Sequence, residues 1–190
     1  MTPYYNKPTQ AGLIAHYEAI AAATDVPLVL YNVPPRTACD MQAETVGQLS
    51  RIPQVVGIKE ACGDATRVAD IRALVADDFF VLSGEDAQTL QMLDLGAVGT
   101  ITVTANVLPQ MMSQFCAAHL EGNRDKAAQL DAQLQPIHEA LFWEPSPTPT
   151  KWALAEMGRI QHGIRLPLLP LSDACHAQLR ERLIAVGALS

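Results

Sequence analysis

Along the first part of the chain, short and mainly apolar runs alternate with stretches in which apolar residues recur at helical spacing. Runs of about four to eight apolar residues are typical of strands that are buried on both faces. Four such runs occupy residues 27–31, 55–61, 79–82 and 98–103. Because helical stretches separate these runs, they predict a parallel α/β sheet of four strands.

The stretches between the runs predict helices. Thr9 is the predicted N-cap of the first helix, and the buried face of that helix consists of Leu13, Tyr17 and Ile20. A second helix is predicted over residues 43–50. Asp64 is the predicted cap of a third, whose buried stripe consists of Val68, Ile71, Leu74 and Val75. A fourth helix passes through Leu90 and Leu93.

After Asn106 the pattern is helical only. One face carries a stripe formed by Leu130, Leu134, Ile137 and Leu141, and a proline-rich break follows at residues 144–149. The sequence therefore predicts two parts. Residues 1–106 form a partial (β/α) barrel, and residues 107–190 form a C-terminal helical extension that packs on the barrel or on a partner subunit.

The ends of the predicted strands carry the candidate chemistry. In a TIM-type (β/α) barrel, functional groups lie at the carboxyl ends of the strands. Tyr31 and Lys59 end the first two runs, Gly84 follows the third, and Thr104 ends the fourth. We therefore expect these residues to converge on one rim of the sheet.

Lys59 is the most informative residue at this rim. Apart from the adjacent Glu60, it is the only strong charge in its run. A lysine in such a place either lays its stem on apolar surface with its ammonium in water, or it loses hydration. Loss of hydration favours the free amine, which attacks carbonyl carbons and forms Schiff bases.

Composition and charge narrow the possible functions. The net charge of −7 comes without a basic stripe, which argues against nucleic acid and anionic membranes as partners. We expect neither a membrane span nor a signal peptide. The four cysteines lack CxxC spacing, and the five histidines show no one-turn pairing. These patterns predict a reduced, cytoplasmic protein without a metal site.

Several segments resemble one enzyme family. The segments YNVPPRT at residues 31–37 and VGIKE at residues 56–60 closely resemble signature segments of the dihydrodipicolinate synthases, which are pyruvate-dependent class I aldolases. Residues 2–8, 83–86, 99–106 and 147–151 extend the resemblance in order along the chain. It implies a TIM-barrel lyase that condenses pyruvate with L-aspartate 4-semialdehyde on the diaminopimelate route of lysine biosynthesis.

The resemblance implies roles for the residues that would carry the reaction. Lys59 would form an imine with the ketone of pyruvate, so that no separate cofactor is needed. Tyr31 would pass protons near the imine. Tyr5 would join this relay from the neighbouring subunit of a homo-oligomer. From the residues alone, Tyr31 is equally well explained as a side chain that fills the mouth of the barrel.

The resemblance also implies binding residues. Arg36 would hold the carboxylate of the semialdehyde in its guanidinium fork, although loop arginines are more often simply solvated. Gly84 and Ile101 would line the pyruvate pocket, Gly84 because a backbone must approach closely there. Barrel packing is the alternative explanation for Ile101. Tyr4 would lie at the dimer interface, and its alternative role is to cover an apolar edge.

The predicted sheet is only part of a barrel. A complete TIM barrel has eight strand–helix units in about 250 residues, and the resemblance places this chain in the second, C-terminal half. The adjacent threonine pair of the family, which binds the pyruvate carboxylate, has no counterpart here. Three interpretations stay open: a truncated product, one piece of a divided barrel, and a half barrel that pairs with a second copy.

Two other functions compete with dihydrodipicolinate synthesis. A sialic acid lyase or a keto-deoxy-sugar aldolase would use the same lysine, but Arg36 and the prolines before it favour the dihydrodipicolinate synthases. A catalytically silent remnant that acts as an interaction module is the second alternative. The unpaired edges of an open sheet favour this alternative, since they invite pairing with another chain.

Overall fold

The computed structural model describes all 190 residues. They form two compact units, Met1–Ile101 and Thr102–Ser190, which we call the sheet unit and the helical unit. The boundary predicted from the sequence lies a few residues later, between residues 106 and 107. Packing of the helical extension on the barrel or on a partner subunit stays a prediction.

The sheet unit contains a parallel sheet of three strands. Its strands, in spatial order, are β1 (Leu28–Asn32), β2 (Val55–Glu60) and β3 (Phe80–Ser83). The central strand β2 pairs in parallel with both neighbours. The predicted α/β class with a parallel sheet is therefore confirmed, and so are the first three strands.

The prediction of a fourth strand was wrong. Residues 98–103 contribute a single parallel bridge, between Thr100 and Ser83. The main-chain NH of Ser83 donates to the Gly99 oxygen, and that of Ile101 donates to the Ser83 oxygen, both at 2.9 Å. The ladder stops there because the chain turns into a 3₁₀ helix at Thr104–Asn106.

Five α-helices and a 3₁₀ helix at Asp86–Gln88 belong to the sheet unit. The α-helices are α1 (Gln10–Ala22), α2 (Pro34–Thr37), α3 (Ala43–Leu49), α4 (Arg67–Arg72) and α5 (Thr89–Asp94). The Thr9 hydroxyl caps α1 by accepting from the main-chain NH of Gly12 at 3.2 Å, as predicted. Leu13 and Tyr17 are buried and Ile20 is half-buried, so the predicted inner face of this helix is largely confirmed.

The helix predicted after Asp64 is shorter than its apolar stripe. The Asp64 carboxylate accepts from the main-chain NH of Thr66 at 2.9 Å, and α4 begins directly afterwards. Val68 and Ile71 are fully buried, but Leu74 is 47% exposed. Leu74 escapes burial because α4 ends at Arg72, so the helical spacing no longer directs its side chain inward.

The helical unit contains four α-helices after the 3₁₀ helix at Thr104–Asn106. They are α6 (Pro109–Leu120), α7 (Arg124–Ala140), α8 (Thr148–Glu156) and α9 (Asp173–Ala185). Helix α7 packs against α6 and α9. The predicted stripe is confirmed as buried, and it consists of Leu130, Leu134 and Ile137 on α7 and of Leu141 at its C-cap. None of the helices combines the length and the apolar character that crossing a membrane requires.

Side-chain alternation along the strands gives the sheet one closed face and one half-open face. A row of register partners on the closed face, at most 1% exposed, consists of Leu30, Ile58 and Val81. The next row lies on the opposite face, is half-buried, and consists of Tyr31, Lys59 and Leu82. The half-open face therefore presents the two candidate reactive residues.

Candidate active site

Lys59 and Tyr31 are direct register partners on β2 and β1. The Lys59 Nζ lies 4.3 Å from the centroid of the Tyr31 ring. At this distance the face of the ring attracts an ammonium, an interaction of about 0.5–1 kcal/mol at an exposed site. The structure thus places an amine and a phenol side by side at the carboxyl ends of neighbouring strands. Their catalytic roles stay predictions.

Gly84 lies against the stem of Lys59. A Cβ at this position would lie 2.8 Å from the Lys59 Cε, 2.8 Å from the Ala61 Cβ and 3.1 Å from the Glu60 oxygen. The main-chain NH of Gly84 donates to that same oxygen at 2.7 Å. No side chain fits in this space, so glycine allows the turn after β3 to press against the lysine.

Glu85 is a charged neighbour of Lys59 that was not predicted from the sequence. Its side chain is half-buried, and burial together with the charge of Asp86 raises the pKa of its carboxyl group, while the charges of Lys59 and Arg36 lower it. The Ser83 hydroxyl fixes this turn, because it accepts from the Glu85 NH at 3.2 Å and donates to the Glu85 oxygen at 3.0 Å. The sequence feature that could have identified Glu85 is its position directly after Gly84, at the end of a predicted strand.

Arg36 lies on α2, in the loop that follows β1. The side chain is exposed, and α2 ends just after it because Ala38 adopts a left-handed conformation with φ of 54°. The charge of Arg36 contributes to lowering the pKa of Glu85. The structure therefore brings both Arg36 and Lys59 within electrostatic reach of Glu85.

Tyr4 and Tyr5 lie on the surface, 65% and 87% exposed. Tyr5 has a φ of 67°, and the main-chain NH of Asn6 donates across it to the Tyr4 oxygen at 2.8 Å. This is a γ-turn with positive φ, a rare and strained conformation for a side-chain-bearing residue. No hydrogen bond or ring contact joins either tyrosine to Lys59 or Tyr31, and the Tyr5 side chain projects into solvent.

The remaining predicted residue, Ile101, is 48% exposed and lies beside Ser83 at the end of the bridged segment.

No group of three histidine, cysteine, aspartate or glutamate side chains is arranged to hold a metal ion. The groups that are assembled are an amine, a phenol, a guanidinium and a carboxylate. An amine beside a phenol suits carbonyl chemistry, and the guanidinium suits a carboxylate on the substrate.

Comparison with known proteins gives a consistent result. The model of the dihydrodipicolinate synthetase family matches residues 1–186. The 4-hydroxy-tetrahydrodipicolinate synthase of Pseudomonas savastanoi pv. phaseolicola is 52% identical over 189 residues, and that of Methylococcus capsulatus is 49% identical over 189 residues. Each alignment covers 100% of this chain and 65% of the relative.

Solved structures agree with the sequence relatives. Dihydrodipicolinate synthase from Acinetobacter baumannii, complexed with pyruvate, superposes with a TM-score of 0.95 at 45% identity. The enzyme from Thermotoga maritima superposes with a TM-score of 0.96 at 42% identity. Both alignments cover 99% of this chain and 65% of the solved chain. The chain thus spans about 65% of the length of these relatives, and its predicted place in the C-terminal part stays a prediction.

Proposed function

Because the chain belongs to the dihydrodipicolinate synthetase family, we propose that it condenses pyruvate with L-aspartate 4-semialdehyde through an imine on Lys59. One observation carries the proposal. The Lys59 Nζ lies 4.3 Å from the centroid of the Tyr31 ring, on the half-open face of the sheet. The product would be 4-hydroxy-tetrahydrodipicolinate, formed in the cytoplasm on the diaminopimelate route to lysine.

Lys59 would act as the nucleophile. Its free amine attacks the ketone carbon of pyruvate, and loss of water leaves an iminium that withdraws electrons from the adjacent methyl group. Loss of a methyl proton gives an enamine, whose carbon then bonds to the aldehyde carbon of the semialdehyde while the aldehyde oxygen takes up a proton and becomes the hydroxyl. This step regenerates the iminium, and the amino group of the semialdehyde attacks the iminium carbon, closes the ring and displaces the Lys59 amine. The Tyr31 hydroxyl would accept and return protons, since a phenol is both donor and acceptor. The chemistry needs no metal or separate cofactor.

Charged groups around Lys59 would position the second substrate. Arg36 would bind the carboxylate of the semialdehyde, a planar anion that matches its fork of NH donors. Its exposure leaves these donors free to do so. Gly84 and Ile101 would line the pyruvate pocket, with Gly84 holding the lysine stem in place and the exposed side of Ile101 facing the substrate.

Other parts of the enzyme would come from outside this chain. Tyr5 would reach the site of a neighbouring subunit in a homo-oligomer, with Tyr4 in the interface, and their exposure supports this arrangement. The three strands would be part of a TIM barrel whose other strands lie in the portion of the relatives that this chain does not span. The carboxylate site for pyruvate would also belong to that portion.

Activity with two substrates tests the proposal. We expect the chain to consume pyruvate only when aspartate semialdehyde is present, which proton NMR of the pyruvate methyl group would show. Release of pyruvate from sialic acid or from a keto-deoxy-sugar acid, without consumption in the presence of the semialdehyde, would instead identify a related aldolase. A folded chain that performs neither reaction and forms no adduct with pyruvate would be the silent remnant.

A further inference from the structure

Directly behind the reactive pair lies a buried polar pair, Asn32 and Glu60. They are the next register partners on β1 and β2, so their side chains point to the closed face, where both are 0% exposed. The Asn32 Nδ2 donates to both carboxylate oxygens of Glu60 at 3.1 Å. This contact joins the carboxyl ends of the two strands at the level of the candidate site.

Asn32 also closes the loop that carries Arg36. Its Oδ1 accepts from the main-chain NH of Met41 at 3.0 Å, and its Nδ2 donates to the Asp40 carboxylate at 2.8 Å. The chain leaves β1 at Asn32 and returns to the same side chain after the short helix α2. One residue therefore holds both ends of the loop.

Arg67 and Cys62 complete this group of contacts. We call the group the Asn32 clasp, and its members are Asn32, Asp40, Met41, Glu60, Cys62 and Arg67. Arg67 on α4 forms paired bonds to the two Asp40 carboxylate oxygens at 3.2 and 3.0 Å and donates to the Met41 oxygen at 3.0 Å. Glu60 accepts from the main-chain NH of Cys62 at 2.8 Å. Burying several polar groups is costly unless each is hydrogen-bonded, so the clasp stabilises one arrangement of the strands and the loop.

We propose that Asn32, through its bonds to Glu60 and Asp40, is a positioning residue that aligns Lys59 with Tyr31 and holds the Arg36 loop beside them. The role in catalysis rests on the function proposed above. Displacements of about 1 Å in reacting groups slow reactions by about a hundredfold, so a device that fixes these residues from behind has a direct effect on rate. Asn32 itself does not touch substrate, because it lies on the closed face.

The first test removes the hydrogen bonds that Asn32 makes in the clasp. Its effects are compared with those of a cavity that lowers thermal stability by a similar amount. In Asn32→Ala we expect the main-chain amides of Val33 and of residues 36–41 to exchange with deuterium about tenfold faster or more. The rate of pyruvate trapping on Lys59 by borohydride should also fall about tenfold or more. The control is Val81→Ala, a buried position on β3 whose side chain forms none of the hydrogen bonds of the clasp. Equal changes in both variants, at equal thermal stability, would overturn the proposal.

The second test exchanges the partners. Asn32→Asp keeps the shape of the side chain but sets a carboxylate against Glu60 and Asp40. Amide exchange in the loop should therefore be at least as fast, and pyruvate trapping at least as slow, as in Asn32→Ala. Adding Glu60→Gln restores an amide donor opposite a carboxylate and should recover loop protection and trapping rate relative to Asn32→Asp. An absence of recovery would contradict the proposal. A wild-type chain that traps no pyruvate would contradict the proposed function, whereas the exchange data would still decide whether Asn32 holds the loop.

Discussion

Two residue pairs, one step apart on the same two strands, differ in almost every physical property. Tyr31 and Lys59 are half-buried and touch through a single ring–ammonium contact at 4.3 Å. Asn32 and Glu60 are 0% exposed and lie within a group of short hydrogen bonds. The two pairs differ in burial because successive side chains along a strand point to opposite faces of the sheet.

Under the proposed function, the two faces of the small sheet have separate tasks: one presents the reacting groups and the other supports them. The open pair keeps its amine and hydroxyl available, because no protein hydrogen bond occupies them. The polar groups of the buried pair form hydrogen bonds within the protein, and these bonds fix the strand ends. Variants that change one pair should therefore alter chemistry with little loss of stability, and variants that change the other should alter alignment.

The largest effect is expected at the open pair. Tyr31→Phe keeps the ring beside Lys59 but removes the hydroxyl, so enamine formation should slow by about a hundredfold or more, with little change in thermal stability. Exchange of deuterium into the pyruvate methyl group measures this rate. Tyr17→Phe is the control, since it removes a buried hydroxyl without a hydrogen-bond partner. An unchanged rate in Tyr31→Phe would remove Tyr31 from the mechanism.

A steric change beside Lys59 should have the next largest effect. Gly84→Ala places a methyl group 2.8 Å from the Lys59 Cε and from the Ala61 Cβ, which should destabilise the fold by about 1–3 kcal/mol and displace the lysine. Gly99→Ala is the control, because its nearest neighbour would be Leu82 at 3.4 Å. Urea unfolding and pyruvate trapping measure the two consequences. Equal behaviour of the two variants would show that the close approach is unimportant.

The buried pair predicts a pH dependence of stability. Burial raises the pKa of Glu60, although bonds from Asn32 and Cys62 and the charge of Arg67 oppose the shift. The folded state therefore holds this proton more tightly, so the stability it contributes is full below the usual glutamate pKa and is lost as pH rises through the raised value.

Glu60→Gln cannot lose this proton. The free energy of unfolding of the variant, minus that of the wild type, should therefore increase as pH rises through this window. Urea unfolding of both proteins at several pH values from about 4 to 8 measures the difference. A difference that is independent of pH would contradict the assignment of a raised pKa to Glu60.

The smallest effect is expected at the rim of the open pair. Glu85→Gln removes a half-buried carboxylate beside Lys59 and Arg36, so anionic pyruvate should bind more tightly. The half-saturating pyruvate concentration for trapping should fall about two- to fivefold at low ionic strength and approach the wild-type value in high salt. An increase in that concentration would indicate that Glu85 holds the substrate instead.

The sequence predicted the elements and the rim of the site well. Continuous apolar runs identify β1 to β3, and the residues at their carboxyl ends, Tyr31, Lys59 and Gly84, do lie together. These features follow from local pattern and from the parallel arrangement that alternating helices impose. The Thr9 cap was equally local and equally predictable.

Other features depend on long-range register and could not be predicted. Nothing local shows that Asn32 lies opposite Glu60, or that the chain returns at Asp40 to the same side chain. The apolar run at residues 98–103 has strand composition, but pairing ends after one bridge because of the turn at Thr104. Leu74 fits a helical stripe and is exposed because the helix ends first.

The central claim is that Lys59 is the Schiff-base nucleophile, and reductive trapping tests it most directly. The folded chain is incubated with pyruvate and borohydride, digested, and analysed by peptide mass spectrometry. We predict one reduced pyruvate adduct, on the peptide that contains Lys59, and its absence in Lys59→Arg. An adduct on Lys7, Lys126 or Lys151 instead, or none on a sample shown to be folded, would contradict the account.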